Sequence, residues 1–503
     1  MHLFNGSNIF LKDIPVYSEP EFRGLVIAAC QNGGRLLNFF GQALAADLIR
    51  LLAIVGYDDE GKIVPYATTL SGSPASYECL TKDWFAAHLF EREIAEQWAV
   101  VPREHPWLKP LRYHENYRGV PDVWPQVMAK TIPGMYPFYK VEGEEVHEVG
   151  VGPVHAGIIE PGHFRFQCHG EQVLHLEIQL GYQHRGVESL MTSGDLRRCA
   201  LLSESIAGDT VVGHSTAFCE VVESLSGCLI PARAQAIRAV GLELERVANH
   251  VGDLAALSAD VGFLPPAAFF GRMRGDYLNL LLTLMGNRFG KGLCRPGGVL
   301  FDIPNDMAAE LIRELKVCQK EFEDVSELLF TRPSVLARFE ELGVISSESA
   351  FKYGLVGPAG RASQLARDIR TDYASGIWQF YHIPVSLAAT GDVYGRALVR
   401  RQEVLRSLDF LIRILSALPE GMIFVQPGPM KKDAMALSLV EGWRGELMHI
   451  AITDWKGDWA RYKIKDPSFH NWTALAMSMR GEEISDFPLC NKSFNLSYAG
   501  HDL

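Results

Sequence analysis

The sequence contains no Cys-x-x-Cys pair and no long apolar run. Its nine cysteines are scattered over 503 residues, which argues against a thiolate-bound zinc or iron–sulfur cluster within the chain and favours a reducing compartment. No apolar stretch approaches the roughly 20 residues that a membrane-spanning helix needs. Basic residues do not predominate either, because the formal net charge is −12. That balance argues against a nucleic-acid partner.

What the sequence does contain is enough apolar residues for a sizeable core. Hydrophobic residues make up 48% of the chain and charged residues 21%, which are the proportions of a globular protein. A length of 503 residues predicts more than one domain.

Residues 1–114 predict a small α/β domain. Two apolar stretches, 49–57 and 62–70, flank a glycine-containing loop and therefore indicate a hairpin. Helical periodicity follows over 82–98. Residues 115–150, by contrast, carry four prolines and few periodic positions. This composition predicts a linker that lies along the surface of a partner or of the next domain.

Residues 151–503 predict a mainly α-helical bundle with peripheral β-hairpins, so the whole chain falls in the α+β class. Residues 164–180 alternate with period 2, as a half-buried hairpin does. Apolar residues spaced three and four apart from Ile237 to Leu254 indicate a long amphipathic helix. Further helices are predicted over 306–329, 363–378 and 396–418, and a late strand pair over 447–453 and 461–465.

Two short segments, far apart in the second domain, carry the most informative pattern. The first slot is Ala207-Gly208-Asp209-Thr210, followed four residues later by His214. The second slot is Ser497-Tyr498-Ala499-Gly500, three residues before the last residue. These slots resemble the two Cys-x-x-Cys motifs of nickel–iron hydrogenase large subunits, where Cys-Gly-x-Cys-x-x-x-His stands near the start of the domain and Cys-x-x-Cys stands at its end. The resemblance is closest to the energy-converting (group 4) hydrogenases, which are kin to respiratory complex I.

Further stretches extend the resemblance over nearly the whole chain. The opening of hydrogenase large subunits and of the 49-kDa-type subunit of complex I is similar to two stretches of this chain, GPVHAGIIEPGHFRF and GYQHRGVESL. Two further stretches, ELERVANHVGDL and DPSFHNW, also resemble sequence motifs of the family. In the first domain, Glu91-Arg92-Glu93 and Pro110-Leu111-Arg112 resemble the 30-kDa-type subunit of complex I. The resemblance therefore implies a fusion of a 30-kDa-type and a 49-kDa-type subunit.

The four thiolate positions of the family hold other residues in this chain. A soft, redox-active metal centre needs deprotonated thiolates, whereas alanine and glycine offer no side-chain donor and hydroxyl groups are poor ligands at neutral pH. Cys219 and Cys490 lie near the slots without restoring the paired spacing, and we expect both to be small buried hydrophobes. We therefore expect no metal and no cofactor in this chain. The altered positions are Ala207, Thr210, Ser497 and Gly500.

Four residues are candidate site residues because they match functional positions of the family. Glu160 and Glu188 match acids near the metal, and they imply a retained proton path; the alternative is that each holds a loop or an arginine in place. His214 matches the histidine after the first motif and would hydrogen-bond to whatever fills the cavity, unless it is an ordinary core histidine. Asp260 matches an aspartate that couples the site to the membrane arm, with a helix-end hydrogen-bonding role as the alternative.

Quinone binding is a further expectation that comes from the complex I relatives. In that family a tyrosine near the first slot and a histidine on the first hairpin loop hold the quinone. Gly208 falls at the tyrosine position here, and His155 or His163 would have to take the histidine role. A quinone or another organic acceptor therefore stays open as a ligand of the site.

The resemblance implies a peripheral subunit on the cytoplasmic side of the cell membrane, in an oxidoreductase complex related to NADH:quinone oxidoreductase and to energy-converting hydrogenase. The implied partners are a small subunit that carries a [4Fe-4S] cluster and membrane-arm subunits that move ions. Three hypotheses follow: a redox-coupled subunit without a nickel–iron centre, a non-catalytic subunit that transmits conformational change, and, least favoured, an active hydrogenase with unusual ligands.

The resemblance also makes a geometric prediction. Nothing in the local sequence requires the two slots to meet, since nearly 290 residues separate them. In the family, however, both motifs hold one metal. We therefore expect the two slots to face each other across a small cavity, with Glu160 and Glu188 near its rim and the C-terminal tail buried.

Overall fold

The computed structural model describes residues 2–72, 74–124, 137–155 and 159–503. Its N-terminal part contains a four-stranded sheet in the order β2-β5-β4-β3, and a parallel pair of β6 and β7. Two helices pack against these strands. The elements of this part are β1 (Asn8–Phe10), β2 (Val16–Tyr17), α1 (Glu19–Gln31), β3 (Arg35–Ala45), β4 (Leu48–Tyr57), β5 (Lys62–Ser71), β6 (Ala75–Glu78), α2 (His88–Trp98) and β7 (Val100–Arg103).

The predicted hairpin and helix of this part are present. Strands β4 and β5 pair antiparallel and match the predicted strands to within one residue at each end. Gly61 ends the connecting turn with a φ of 60°, a left-handed conformation that glycine adopts without steric cost. Helix α2 ends where predicted but begins at His88, because residues 85–87 form a 3₁₀ turn.

The second part begins with a three-stranded antiparallel sheet in the order β10-β9-β8. Its strands are β8 (Val146–Val151), β9 (His163–His169) and β10 (Gln172–Gln179). The predicted hairpin is therefore present, and β8 adds a third strand to it from the end of the predicted linker. Residues 125–136 of that linker, with two of its four prolines, lie outside the described residues.

A bundle of helices follows, built around α6. Helix α6 packs against α7 and α13, and α13 packs against α8. The apolar positions predicted from Ile237 to Leu254 are buried. The helices are α3 (Val187–Ser193), α4 (Leu196–Ser203), α5 (Val211–Ser226), α6 (Ala232–Asp260), α7 (Leu264–Met285), α8 (Asn305–Phe330), α9 (Pro333–Phe339), α10 (Ser347–Tyr353), α11 (Gly357–Ala362), α12 (Ile369–Asp372), α13 (Val393–Ser416), α14 (Ser468–Ser478), α15 (Phe487–Phe494) and α16 (Tyr498–Asp502).

The helix predicted over 363–378 is wrong. That stretch contains only the four-residue α12 and a 3₁₀ turn at Gly376–Gln379. The physical reason is a set of buried charges: Asp368 caps α12 and pairs with Arg370, which also pairs with Glu243 on α6. Buried charges must be paired, and the backbone conformation that pairs them here is not a continuous helix.

The late strand pair lies at the centre of the molecule and not at its periphery. Strands β13 (Ala434–Gly442), β14 (Gly445–Thr453) and β15 (Trp459–Lys465) form a sheet whose edge strand is β1, from the start of the chain. Every residue of β13 and β14 is buried. The sheet packs against β3 and β4 through a shared apolar cluster. Strands from the two predicted domains therefore pair and pack with each other within one α+β structure.

A short two-stranded ribbon completes the described elements, with β11 (Cys294–Arg295) paired to β12 (Gly298–Val299). In the described part of the chain, no helix combines the length and the hydropathy required to cross a bilayer.

Candidate functional site

The C-terminal tail is buried, as the resemblance predicted, and it is tied to the loop after β10. The Asp502 carboxylate accepts hydrogen bonds from the backbone N–H of Gly181 at 2.8 Å and of Gln183 at 2.9 Å. The backbone N–H of Arg185 donates to the Leu503 carbonyl oxygen at 2.9 Å. Leu503 is only 2% exposed. These contacts fix the second slot against the strand sheet.

The first slot is fixed by the start of α5. Ala207 and Thr210 are buried, and Thr210 stands immediately before the helix. Glu245, on α6, accepts hydrogen bonds from the backbone N–H of Val212 at 2.7 Å and of Gly213 at 3.2 Å. The first N–H groups of a helix have no partner within it, so this carboxylate holds the N-terminus of α5 against α6.

Arg444 joins the two slot segments. It lies in the turn between β13 and β14, and its Nη1 and Nη2 atoms donate to both carboxylate oxygens of Asp209, at 2.5 and 2.7 Å. Its Nε atom donates to the carbonyl oxygen of Asn495 at 2.5 Å. The guanidinium lies over the Trp443 ring, 3.9 Å from the ring centroid. A single buried cation thus binds the first slot and the segment that leads into the second.

Two further residues join the same segments. The Nη2 atom of Arg185 donates to the carbonyl oxygens of Ile206, at 2.9 Å, and Ala499, at 3.1 Å. The Glu160 carboxylate accepts a hydrogen bond from the backbone N–H of Tyr498 at 3.1 Å. Burial raises the pKa of Glu160. The structure therefore brings Glu160 to the second slot, where a partly buried carboxylic acid can hold or release a proton.

Asp466 and His214 fill the space behind Gly500. Asp466 Oδ2 and His214 Nε2 are 3.2 Å apart, and His214 Nδ1 is 3.0 Å from His449 Nε2. His449 Nδ1 lies 2.9 Å from the Tyr462 hydroxyl. Burial opposes ionisation of Asp466, but the hydrogen bond and charge of His214 hold its pKa below the usual range.

The backbone at Gly500 packs directly on Asp466. A Cβ atom at this position would lie 2.7 Å from the Asp466 carboxylate carbon. The hydroxyls of the two slots have partners: Gly500 N–H donates to Ser497 Oγ at 2.8 Å, and Thr210 Oγ1 donates to Asp209 Oδ1 at 3.2 Å. The slots are thus joined by side chains that fill the space between them.

Glu188 lies at the junction with the N-terminal part of the chain. On α3, it accepts hydrogen bonds from Arg461 Nη2 at 2.8 Å and Lys463 Nζ at 2.9 Å. Lys463 also pairs with Glu93 on α2, at 2.6 Å. Burial opposes ionisation, yet the neighbouring cations hold the pKa of Glu188 far below its usual value. This environment favours the alternative in which the carboxylate holds arginine and lysine in place, and a proton-transfer role stays a prediction.

The structure does not bring Asp260 to the slots. It is the last residue of α6 and it is exposed. Fifteen residues separate it from Glu245 at the first slot, which corresponds to about 22 Å along the helix axis. Its position at a helix end fits the alternative role, and a coupling role stays a prediction.

The histidines considered for quinone binding are engaged with backbone carbonyls of their own hairpin. His155 Nε2 is 3.0 Å from the Gly162 oxygen, and His163 Nδ1 is 3.1 Å from the Gly152 oxygen. Residues 156–158, within the same motif, lie outside the described residues. The two cysteines near the slots, Cys219 and Cys490, are buried as expected.

Sequence reasoning missed Arg444, Asp209, Asp466 and Glu245 as site residues. A signal for two of them was available, because Asp209 lies inside the first slot and Asp466 opens the DPSFHNW stretch. Arg444 stands just before a strand that reads as apolar. Only the folded structure shows that its side chain reaches the first slot and the segment that leads into the second.

Comparison with known proteins identifies the family. The sequence profile described as "Respiratory-chain NADH dehydrogenase, 49 Kd subunit" matches residues 260–435 and 424–502. The carbon monoxide-induced hydrogenase of Rhodospirillum rubrum is 31% identical over 350 residues, which are 69% of this chain and 97% of the relative. An NADH-quinone oxidoreductase subunit of Herpetosiphon aurantiacus is 30% identical over 347 residues, 67% of this chain and 94% of the relative. The chain belongs to this hydrogenase and complex I family.

A third relative extends the similarity to most of the chain. Formate hydrogenlyase subunit 5 of Escherichia coli strain K12 is 30% identical over 442 residues, which are 85% of this chain and 77% of the relative. The resemblance to group 4 hydrogenases and complex I is therefore confirmed. The candidate site of this chain is the junction of the two slot segments, with Arg444, Asp209 and Asp466 at its centre.

Proposed function

We propose that this protein is a subunit of a membrane-bound oxidoreductase complex, that it takes part in electron transfer coupled to ion translocation, and that it does so without a nickel–iron centre. Its relatives are named as hydrogenases, as a formate hydrogenlyase subunit and as NADH-quinone oxidoreductase subunits. The single observation behind the missing metal is the Arg444 guanidinium, which binds Asp209 in the first slot and the carbonyl of Asn495, two residues before the second slot.

The residues at the four thiolate positions do not fit a thiolate-held metal. Two of them have no side-chain donor, and the Ser497 hydroxyl already accepts a hydrogen bond from Gly500. A guanidinium is a permanent cation, and its charge beside the first slot opposes a second cation there. Side chains at the slots are arranged to satisfy one another by hydrogen bonds and ion pairs.

Proton handling is the chemistry that the site itself supports. Glu160 lies at the second slot with its pKa raised by burial, and the chain of Asp466, His214 and His449 continues from Gly500 towards Tyr462. Such a row of hydrogen-bonding titratable groups can accept or release a proton when charge changes in a neighbouring subunit. We infer that the redox centre lies in a partner, a small subunit with a [4Fe-4S] cluster.

Peripheral attachment to the cytoplasmic side of the membrane is part of the proposal. A relative from Pyrococcus furiosus is named as the alpha subunit of a membrane-bound hydrogenase. Several large apolar side chains are exposed, and such side chains are suited to contact with partner subunits, including membrane-arm subunits. The most exposed are Leu229, Val154, Phe380, Met422 and Leu201.

A second candidate function is a structural subunit that transmits conformational change without chemistry at the slots. The observation in its favour is the ion-pair arrangement of Glu188, Lys463 and Glu93, which binds the two parts of the chain rigidly. The two candidate functions predict different effects on turnover when the carboxyl group of Glu160 is replaced by an amide.

The test is purification of the intact complex from membranes, followed by metal analysis and acceptor reduction. We expect iron and acid-labile sulfide in a co-purifying small subunit, and nickel far below one atom per complex. Stoichiometric nickel, or hydrogen evolution by the pure complex, would overturn the proposal that the nickel–iron centre is absent.

A variant separates the two candidates. Glu160→Gln keeps the size and the acceptor oxygen of the side chain but cannot release a proton. If the site handles protons, the variant complex assembles normally and its turnover falls about 10²-fold or more. Normal assembly with unchanged turnover would support the structural candidate. The matched control is Glu171→Gln, on the exposed turn between β9 and β10.

A further inference from the structure

A cleft of about 690 Å³ lies between the N-terminal part of the chain and β10, apart from the interface between Arg444 and the slots. Its walls include Trp107 and Tyr113 from the segment after β7, and Trp472 and Met477 from α14. Ligand sites in proteins have volumes of about 300–1,000 Å³ and mostly apolar walls with a few polar groups. The cleft has these dimensions and this composition.

The polar face of β10 forms part of the cleft. His175, Glu177 and Gln179 alternate along the strand, so their side chains share one face. Glu177 is already paired, because it accepts hydrogen bonds from Lys109 Nζ at 3.0 Å and from the backbone N–H of Tyr139 at 2.8 Å. The other two residues are not fully satisfied.

Gln179 is the decisive residue. Its side chain lines the cleft, and the residue is only 4% exposed. Neither its amide oxygen nor its amide nitrogen has a hydrogen-bond partner in the part of the chain that the structure describes. The Nε2 atom of His175 is in the same state. Buried polar groups in native proteins are almost always hydrogen-bonded, so unpartnered groups along one wall point to a bound molecule.

A positive charge faces the same cleft. Arg92, on α2, donates to the carbonyl oxygens of Lys109 at 2.8 Å and Pro110 at 2.7 Å, and both acceptors are neutral. Its guanidinium lies over the Trp107 ring, 4.8 Å from the ring centroid. No carboxylate in the described ranges is within ion-pair distance of it. A ligand with a negative group would compensate this charge.

We propose that the cleft binds a nucleotide: a planar heteroaromatic ring with a hydrogen-bond donor and acceptor side by side, and a phosphate. The amide of Gln179 presents a donor and an acceptor side by side, which matches the edge of such a ring. Trp107, Tyr113 and Trp472 offer aromatic surfaces for stacking, and Arg92 offers the cation for the phosphate. His501, next to Gly500, also lines the cleft, so a bound ring would lie close to the second slot. This proposal does not depend on the function proposed above.

The experiment is calorimetric titration of the full-length protein with AMP and, separately, with FMN, because each carries a heteroaromatic edge and one phosphate. Adenosine and riboflavin are the phosphate-free counterparts. We expect saturable binding of AMP or FMN, and binding at least about tenfold weaker for the matching phosphate-free molecule. Absence of binding by both nucleotides at millimolar concentration would overturn the proposal, as would equal binding with and without the phosphate.

A pair of variants on one strand tests the role of the amide. Gln179→Leu keeps the size of the side chain and removes both polar atoms, and we expect it to weaken nucleotide binding at least about tenfold. Its thermal midpoint should equal or exceed that of the native protein, because an unpartnered buried amide is lost. Gln172→Leu, at an exposed position of β10, should change neither property. Undiminished binding by Gln179→Leu, or loss of its folded state, would contradict the proposal.

Discussion

Arg444 connects two remote segments of the chain by hydrogen bonds. Its five N–H groups are held in a planar fork, which allows bidentate pairing with Asp209 and a separate bond to the Asn495 carbonyl. Lysine carries its three N–H donors on one nitrogen atom and has no planar fork for bidentate pairing with a carboxylate. The geometry of one side chain therefore determines how the slots are joined.

Removing this guanidinium should destabilise the protein. Arg444→Met keeps an unbranched side chain that can pack on Trp443, but it removes the guanidinium and deprives Asp209 and Asn495 of their partner. Breaking a fully buried ion pair costs about 3–5 kcal/mol. Because the Asp209 side chain is 35% exposed, we expect a loss of about 2 kcal/mol in the free energy of unfolding, measured by urea denaturation.

The control for that variant is Arg401→Met, at a pair with the exposed Glu327. Exposed pairs contribute about 0–1 kcal/mol, so this change should be nearly neutral. Equal effects of the two substitutions would show that Arg444 contributes no more than a surface charge.

Gly500 and Gly208 form a matched pair of glycines, one in each slot. A Cβ atom at 500 would lie 2.7 Å from the Asp466 carboxylate carbon, whereas at 208 it would meet no atom within 4 Å. Overpacking of a filled interior costs about 1–3 kcal/mol. We therefore expect Gly500→Ala to lower the free energy of unfolding by that amount and Gly208→Ala to leave it unchanged, as measured in parallel urea titrations. A neutral Gly500→Ala would mean that Asp466 can move aside.

At the scale of elements, α16 owes its position to the loop after β10 and not to its own length. A five-residue helix is not stable alone, and its last residues are held by Asp502, whose carboxylate accepts from Gly181 and Gln183. The same loop donates to the Leu503 carbonyl oxygen. The tail and the loop therefore form one structural unit.

Asp502→Ala should release this unit. Two buried backbone N–H groups lose their acceptor, and each unsatisfied group costs about 1–3 kcal/mol. We expect faster amide hydrogen exchange for residues 498–503 and for Gly181 and Gln183, measured by mass spectrometry. Asp195→Ala, at the exposed N-terminus of α4, should change exchange only in its own helix. Protection of the tail in Asp502→Ala would contradict this account.

His184 makes the same unit sensitive to acid. Its Nδ1 atom is 2.7 Å from the Asp502 carbonyl oxygen, and burial, together with the charge of the nearby His114, lowers its pKa from 6.5 to about 4. Between these pH values the unfolded state binds a proton that the folded state does not. The contribution of His184 to the free energy of unfolding is therefore fully present above pH 6.5 and is lost as the pH drops to 4.

His184→Asn removes the titrating ring and keeps an N–H donor near the Nδ1 position. We expect the free energy of unfolding of the native protein to fall by up to about 3 kcal/mol more than that of the variant between pH 6.5 and pH 4. Urea titrations at several pH values measure this difference. His147→Asn, at an exposed position of β8, should follow the native curve, and a variant curve parallel to the native one would rule out this role.

At the scale of the whole molecule, the two parts of the chain share a core. Strand β1, at the start of the chain, completes the sheet of β13, β14 and β15. Leu37 and Ile54 from the first part pack in one apolar cluster with Leu437 and Ile450 from the second. Buried ion pairs such as Lys463 with Glu93 cross the same boundary. Each part also has an apolar cluster almost entirely its own, and the shared cluster connects the two.

We therefore expect the second part of the chain to fold only when the first part is present. We expect the fragment 115–503 expressed alone to aggregate, because it exposes the apolar cluster that β3 and β4 cover. Co-expression with the fragment 1–114 should yield a soluble complex of one copy each, detected by affinity purification and light scattering. A monomeric, cooperatively unfolding 115–503 fragment would contradict the shared core.

The sequence by itself determined the family, the α+β class and most long elements. Periodicity located α6 and α13, and the turn glycine at 61 located the hairpin of β4 and β5, because these signals are local. The position of the two slots, the absence of cysteine from them and the burial of the tail were also predicted from the sequence, through its resemblance to the family. Short, charge-rich stretches such as 363–378 were misjudged, because their conformation depends on ion pairs with distant residues.

Only the tertiary structure decided what fills the space between the slots. Arg444 and Asp209 are 235 residues apart, and no local pattern records their pairing. The polar face of β10, which alternation alone assigns to solvent, is buried under residues from the first part of the chain, and this leaves Gln179 without a partner among the described residues. The burial of a charged or polar side chain depends on which remote segment covers it, and that is settled only when the chain folds.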